Sequence, residues 1–421
     1  MFKPIRRLPK LLVLACALLF LNALSISTSA ASPAVGAPLT INVKTDAGAI
    51  GDGVADDTVA FKNALGRLNS AGGTLFIPAG TYRVSSTLTI KSNITVMGDH
   101  ATITTTQIGY QLLYLAGANI ALSGITVDGA NRILIGVDVG PASSNLLIAD
   151  ATIQNITQPS DPAHPLYYGL PIGLHIDGGG SGITVDRVTV KNIVARNITG
   201  PAWPHKVARG ILINTSGSTT ISKNIVIRNS TFSDVGPMDD GDCIVIQDST
   251  DLANLAILNN SFDRCHKRAI KLQVPGVVVA NNRINNPFLG DNKLETWPTA
   301  ANPENNRYDV YAAISIYASN IVVTGNTISG VGSFYNAIET TGIQRNITIQ
   351  TNSIAMGASA NLSTPSSLIR VFQSIDNLVI TDNLLDYGAF GIYINAALSN
   401  PQIARNTITH TLYPIRCSVT C

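Results

Sequence analysis

The chain has 421 residues, with 28 basic and 26 acidic side chains; 13% of its residues are charged and 45% are hydrophobic. That length and apolar content are enough for a large core. The near balance of charge excludes the basic surface that a nucleic-acid partner requires. Residues 1–30 read as a signal peptide. Lys3, Arg6, Arg7 and Lys10 precede the apolar run LLVLACALLFLNAL, and STSAAS then supplies small residues for cleavage. The run is too short for a membrane span. No later run is longer, so no membrane partner is expected after leader removal, and the chain is expected to be secreted or periplasmic. Without the four leader cations, 24 bases face 26 acids.

The next element is DDTVAFKNALGRL (Asp56–Leu68), an amphipathic helix by its spacing. Asp56, Asp57 or Thr58 is its expected cap, and Val59, Ala64, Leu65 and Leu68 are its expected apolar face. A short phrase then recurs: NITVMGDHATI from Asn93, NIALSGITV from Asn119, NLLIADATI from Asn145, GITVDRVTV from Gly182, NIVIRNSTF from Asn224 and NLAILNNSF from Asn254. It continues as GVVVANNRI from Gly276, NIVVTGNTI from Asn320, NITIQTNSI from Asn346, NLVITDNLL from Asn377 and NPQIARNTI from Asn400. Such a period marks a repeat architecture.

Each phrase holds two short β-type runs. A third run of the form small–Ile–x–Ile lies between phrases, as in GILIN (Gly210–Asn214), CIVIQ (Cys243–Gln247), AIKLQ (Ala269–Gln273) and AISIY (Ala313–Tyr317). Three strands per repeat without an intervening helix predict an all-β coil. Stacked coils pair each strand with its copy and enclose one apolar column. The spacing gives about eleven coils over residues 72–412, capped by 41–70, in one domain spanning 31–421. Asn260, Asn282, Asn326, Asn352, Asn383 and Asn406 hold one phrase position and are expected to stack as a structural ladder. In an exported chain Cys243 can pair with Cys265 and Cys417 with Cys421, one of three possible connectivities.

The opening INVKTDAGAIGDGVADDTVAFKNAL (Ile41–Leu65) and GGTLFIPAGTYRVSSTLTI (Gly72–Ile90) resembles the start of pectate-lyase-superfamily proteins. More narrowly it resembles the rhamnogalacturonase/epimerase-like pectate lyase domain. The match is specific over about fifty residues, at DGxADDTxAFxxAL and G-TLxIPAGTY. The resemblance implies a right-handed parallel β-helix acting on a polysaccharide. It leaves open lyase, hydrolase and epimerase chemistry.

Long insertions precede the third strand at 157–171, 199–208, 233–242, 263–268 and 285–311. Stacking would set them along one edge of one sheet, walling a groove. Trp203, His205, Tyr168, Trp297 and Tyr308 lie in these segments and are candidate sugar-binding residues, or they pack the loops onto the rod. Aligning DCIVIQ with RAIKLQ and RGILIN sets Asp242 between Arg209 and Arg268, and Val245 between Leu212 and Lys271. Asp239, Asp240 and His266 sit just before these strands. His175 and Asp177 of GLHIDGGG share a strand face two coils away and are candidate substrate contacts, or an ordinary surface pair.

Three chemistries fit. A lyase on a uronate needs a base for the proton α to the carboxylate and positive charge to neutralise that carboxylate. Lys271 or Arg268 would be the base, with His266 nearby, and Asp239, Asp240 and Asp242 would hold calcium. Lys271 is the easier base, because a guanidinium keeps its proton. A hydrolase of the rhamnogalacturonase and polygalacturonase type carries NTD, DD before Cys-Ile, GHG and RIK in successive coils. Here Gly241 interrupts the acids, GHG is missing, and Arg209 stands where that aspartate belongs. The third reading is a non-catalytic, adhesin-like rod with the acids in a solvated turn bridged to Arg264 and Arg268. The preferred reading is β-elimination in an acidic polysaccharide.

Overall fold

The computed structural model describes residues 39–197, 207–236, 241–286, 312–330, 336–356 and 366–419. Among these residues, 35 strands hydrogen-bond into one continuous system. Each strand runs parallel to its copy in the next coil; Leu146, Ile183, Ile225, Leu255, Val277, Ile321, Ile347 and Leu378 form one unbroken register column. The fold is all-β, a right-handed parallel β-helix. Its core is a column of aliphatic side chains with 0–2% exposure along that row, each worth about 1.5–3 kcal/mol on burial.

The phrase openings have a conformational cause. Asn93, Asn119, Asn145, Asn224, Asn254, Asn320, Asn346, Asn377 and Asn400 all adopt positive φ, between 49° and 63°. Asparagine tolerates this left-handed region and glycine adopts it freely. The two phrases that open on glycine comply, with Gly182 at 72° and Gly276 at 82°. These asparagines also form a ladder: Asn145 donates to Asn119 at 2.7 Å and Asn377 to Asn346 at 2.9 Å. The expected second ladder runs from Asn260 through Asn282, Asn326, Asn352 and Asn383 to Asn406, with Nδ2–Oδ1 distances of 2.9–3.0 Å.

The third strands carry a bend that fixes the site. Pairing skips the second residue, so that Arg209 faces Asp242 and then Ile211 faces Ile244. The second and third residues both enter the core, as Cys243 with Ile244 and Ala269 with Ile270 do. The first and fourth side chains are thereby both turned outward. A Cβ on Gly210 would lie 2.4 Å from the Cys243 carbonyl oxygen, which explains the small residue ahead of Ile. The register Thr89, Tyr114, Asp138, His175, Leu212, Val245, Lys271, Ser315, Glu339, Arg370, Tyr393, Arg416 follows the fourth position through twelve rungs, a length of about 50 Å.

The capping helix spans Thr58–Ala71. Ala64, Leu65 and Leu68 are buried as expected, but Val59 is 69% exposed and Phe61 takes the inward place, edge-on to Tyr82 at 5.5 Å. The contact of Phe61 with Tyr82 thus sets the helix's apolar face, rotated from the one the spacing predicts. Asp57 does not cap the helix with its side chain; its carboxylate accepts the backbone N–H groups of Ile50 and Gly51, at 2.6 and 3.1 Å. Asp56 Oδ1 accepts the Thr58 N–H instead, at 2.9 Å. Cys243 and Cys265 form a disulfide. Cys417 is also oxidised, while Cys421, its expected partner, lies outside the described residues.

Candidate active site on the third sheet

The middle rungs bring together what the register predicts. Asp242 pairs with Arg209 on one side and Arg268 on the other, and Lys271 lies beside Val245. Arg268 Nη1 lies 3.3 Å from Asp242 Oδ1, Nε donates to Ser315 Oγ at 3.0 Å, and Nη2 donates to the Tyr317 hydroxyl at 3.4 Å. Ser315 in turn donates to Glu339 at 2.6 Å, and Asn336 donates to the other Glu339 oxygen at 2.8 Å. Lys271 Nζ stands 5.8 Å from the Tyr317 ring centre. Asp242, Arg209, Arg268 and Lys271 are 0–8% exposed. Burial pushes the Tyr317 phenol up, Glu339 and Asp242 add to this, and Arg268 opposes it. The Tyr317 phenol thus holds its proton more tightly than an exposed one, beside a lysine and an arginine.

The Cys243–Cys265 bridge ties the Asp242 strand to the segment carrying His266 and Arg268. His266 is half-buried, its backbone N–H bonded to the Val235 carbonyl at 2.9 Å, and its ring packs over Gly236, where a Cβ would lie 2.5 Å away. Arg264 does not reach the acids of the Asp242 loop among the described residues. It pairs with Asp234 through Nε at 2.6 Å and with its neighbour Asp263.

A second polar group lies two rungs toward the N-terminus. His175 Nδ1 is 2.9 Å from Asp138 Oδ1, and Nε2 is 3.1 Å from Asn214 Oδ1 and 3.3 Å from Asp177 Oδ1. Asn214 Oδ1 also accepts the Ser216 N–H, so both imidazole nitrogens face acceptors. Burial alone lowers the His175 pKa, but Asp138, Asp177 and Asn214 outweigh it and the net shift is upward. The Asp177 carboxyl is raised by burial and by Asp138, against the opposing charge of His175. Asp138, His175 and Asp177 could hold a cation, each placing one ligand atom within 4.8 Å of the others.

Residues 40–292 match the family described as Rhamnogalacturonase A/epimerase, pectate lyase-like. The chain belongs to this family. Its sequence is 33% identical over 165 residues to Mannuronan C5-epimerase AlgE5 of Azotobacter vinelandii, covering 36% of this chain and 14% of that protein. It is 32% identical over 165 residues to Alginate lyase 7 of the same organism, covering 36% and 17%. The chain thus spans less than a fifth of the length of these relatives. Its fold is similar to PfbA, a surface adhesin of Streptococcus pneumoniae, with a TM-score of 0.64 at 19% identity over 90% of this chain and 94% of that one.

This pectate lyase-like rod is partly covered over the outward face of its third strands. Leu166 and Leu170 of the 157–171 insertion pack on Leu134, Ile135, Ile172, Leu212 and Val245. That insertion is therefore a wall whose own apolar residues hold it down, while Tyr168 stays 40% exposed, edge-on to Tyr167 at 4.7 Å. Trp203, His205, Asp239, Asp240, Trp297 and Tyr308 lie outside the described residues. Sequence reading missed Tyr317, Ser315 and Asp138. Each sits at a position the third-strand register would have marked, Tyr317 as the last letter of AISIY and Asp138 one rung before His175.

Proposed function

We propose that this chain is an exported enzyme acting on a uronate-bearing polysaccharide, and that its reaction begins by removing the proton α to the sugar carboxylate. The observation that carries this reading is the convergence of Lys271, Arg268 and Tyr317 from neighbouring rungs, with Tyr317 3.4 Å from Arg268 and 5.8 Å from Lys271. Support also comes from relatives named as a C5-epimerase and an alginate lyase. C5 of a uronate bears the carboxylate, so both names fit one first step.

Lys271 takes the C5 proton, and the C–H electron pair moves into the carboxylate as an enolate-like dianion. Arg268 supplies positive charge to that dianion. The pairing with Asp242 keeps the guanidinium charged, so Arg268 is the electrostatic group and Lys271 the base. Tyr317 then donates its proton. Delivered to the departing O4, it completes β-elimination; delivered to the opposite face of C5, it completes epimerisation, the reading that the epimerase relatives favour. Asp242 holds Arg268 and is ill suited as the protonated acid of a hydrolase, which needs two carboxyls in distinct states.

Calcium could share in this charge balance, but two of its three expected ligands, Asp239 and Asp240, lie outside the described residues. It takes about six to eight oxygen ligands. Asp242 presents one oxygen to a guanidinium, and the Asp138–His175–Asp177 group, with its imidazole, suits a transition metal better. Incubation with polyuronates, with and without calcium, tests the proposal. Ultraviolet-absorbing unsaturated ends indicate the lyase; C5 proton exchange without cleavage indicates the epimerase. New reducing ends without absorbance would favour a hydrolase, and binding without any product would favour a non-catalytic rod.

A further inference from the structure

Beyond residue 292, where the family match ends, the same outward column carries a different group of side chains. Arg370, Tyr393 and Arg416 occupy consecutive rungs in register. The Arg370 guanidinium lies 4.4 Å from the Phe372 ring centre and 4.3 Å from that of Tyr393, and its Nε donates to Asn395 at 2.9 Å. Arg416 lies 5.2 Å from Tyr413 and 5.7 Å from Phe390. Phe390 stacks on both Tyr393, at 4.6 Å, and Tyr413, at 5.2 Å. Two cations are thus held by rings about 10 Å apart along the axis.

Neither arginine has a carboxylate within ion-pair distance among the described residues. Glu339, one rung before Arg370, is engaged by Ser315 and Asn336. The insertion leading into the Arg370 strand, GASANLSTP at 357–365, contains no acid. Some other surface arginines are ion-paired: Arg187, Arg264 and Arg405 each bind an aspartate. Stacking on rings leaves the Nη edges of a guanidinium available, and its planar fork matches a carboxylate. Tyr413 is 47% exposed, and an open ring face suits the C–H face of a sugar.

We infer that Arg370, Arg416 and the rings between them form a binding subsite for a carboxylated sugar unit, three to five rungs from Lys271 along the groove. Those rungs correspond to about 14–24 Å, so one extended chain would engage both places. The identity of the polymer rests on the function proposed above; the anion site itself does not.

The test is binding, measured by affinity electrophoresis of the full chain in gels containing a polyuronate, a neutral polysaccharide or a sulfated one. Arg370→Gln with Arg416→Gln is compared with wild type, with Arg405→Gln as a control and with Arg370→Lys, which keeps the charge and loses the fork. The double variant is expected to bind the polyuronate about a hundredfold more weakly, about tenfold for each charge-assisted pair lost. Arg405→Gln should match wild type and Arg370→Lys should fall between. A double variant with an unchanged unfolding midpoint and wild-type affinity overturns the subsite. Tighter retention of wild type by the sulfated polymer overturns the carboxylate assignment. Binding lost in the double variant while no polyuronate is converted by wild type keeps the subsite and removes the catalytic reading. Conversion by wild type with unchanged binding in the double variant does the reverse.

Discussion

Asp242 and Arg268 face each other on adjacent rungs, Oδ1 to Nη1 at 3.3 Å, with the acid side chain 0% and the arginine side chain 9% accessible. Arg209, in register on the other side, is bonded to Gln247 at 2.7 Å. The buried acid therefore stands between two cations. Removing one partner of a buried pair costs about 3–5 kcal/mol, because the other charge is left uncompensated. Asp242→Ala is expected to lower unfolding stability by that amount in urea, and Asp242→Asn by less, since the amide oxygen still accepts. A loss below about 1 kcal/mol for Asp242→Ala would place the pair among weak surface bridges.

Lys271 and Tyr317 have separable roles. Loss of a positioned acid or base lowers turnover by about 10²–10⁴-fold. Lys271→Ala is expected to fall in that range on a uronate polymer while its unfolding midpoint stays near wild type. Tyr317→Phe removes the proton but keeps the ring beneath Lys271. It should slow product formation while C5 proton exchange with solvent persists. Full activity of Lys271→Ala would rule it out as the base, and loss of both exchange and product in Tyr317→Phe would assign the proton removal to the phenol.

The coil architecture was legible because its causes are local. Asparagine at a positive-φ turn and a small residue before Ile recur at each rung, and register follows from stacking. That same register set Asp242 between Arg209 and Arg268 from sequence alone. Direction of side chains was less legible. Strict alternation would send Asp242 inward with Ile244; the bend that buries both Cys243 and Ile244 turns it out. Arg370 and Glu339 carry no motif of their own in the sequence. Of their partners, Tyr393 and Ser315 stand at the fourth position of adjacent rungs and emerge only when the register is followed, while Phe372 and Asn336 stand at the sixth and first positions of the same rungs as Arg370 and Glu339. Val59 was misplaced because the helix is oriented by Phe61 against Tyr82, a contact 21 residues away in sequence.

The asparagine ladder is expected to be strongest in its middle. Asn326 is 0% exposed; it donates to the Val279 carbonyl at 3.0 Å and to Asn352 at 2.9 Å, and accepts from both nitrogens of Asn282 at 2.9 Å. Asn326→Ala leaves several buried polar groups without partners, at about 1–3 kcal/mol for each. A loss above about 3 kcal/mol in urea unfolding is expected. Asn406→Ala, at the half-buried last rung, should cost clearly less. Equal costs at both rungs would mean that water replaces the ladder bonds in the interior as readily as at the end.

His175 gives the rod a pH-dependent element. Its folded pKa is raised above the ordinary 6.5, because Asp138, Asp177 and Asn214 outweigh burial. A group of this kind contributes stability that is fully present below the unfolded pKa and is lost as pH rises through the higher folded value. Asp177 is also raised, from 3.8, by burial and by Asp138, so the folded state again holds its proton more tightly and stability again falls as pH rises. Both contributions have the same sign, and the histidine window lies from about pH 6.5 upward. The unfolding temperature is therefore expected to fall between pH 6 and 8, and His175→Gln should flatten that part of the curve relative to wild type. The remaining histidines are common to both proteins and cancel in the comparison. Parallel curves for the two would show that His175 is held neutral, with Nε2 turned from Asn214 and Asp177.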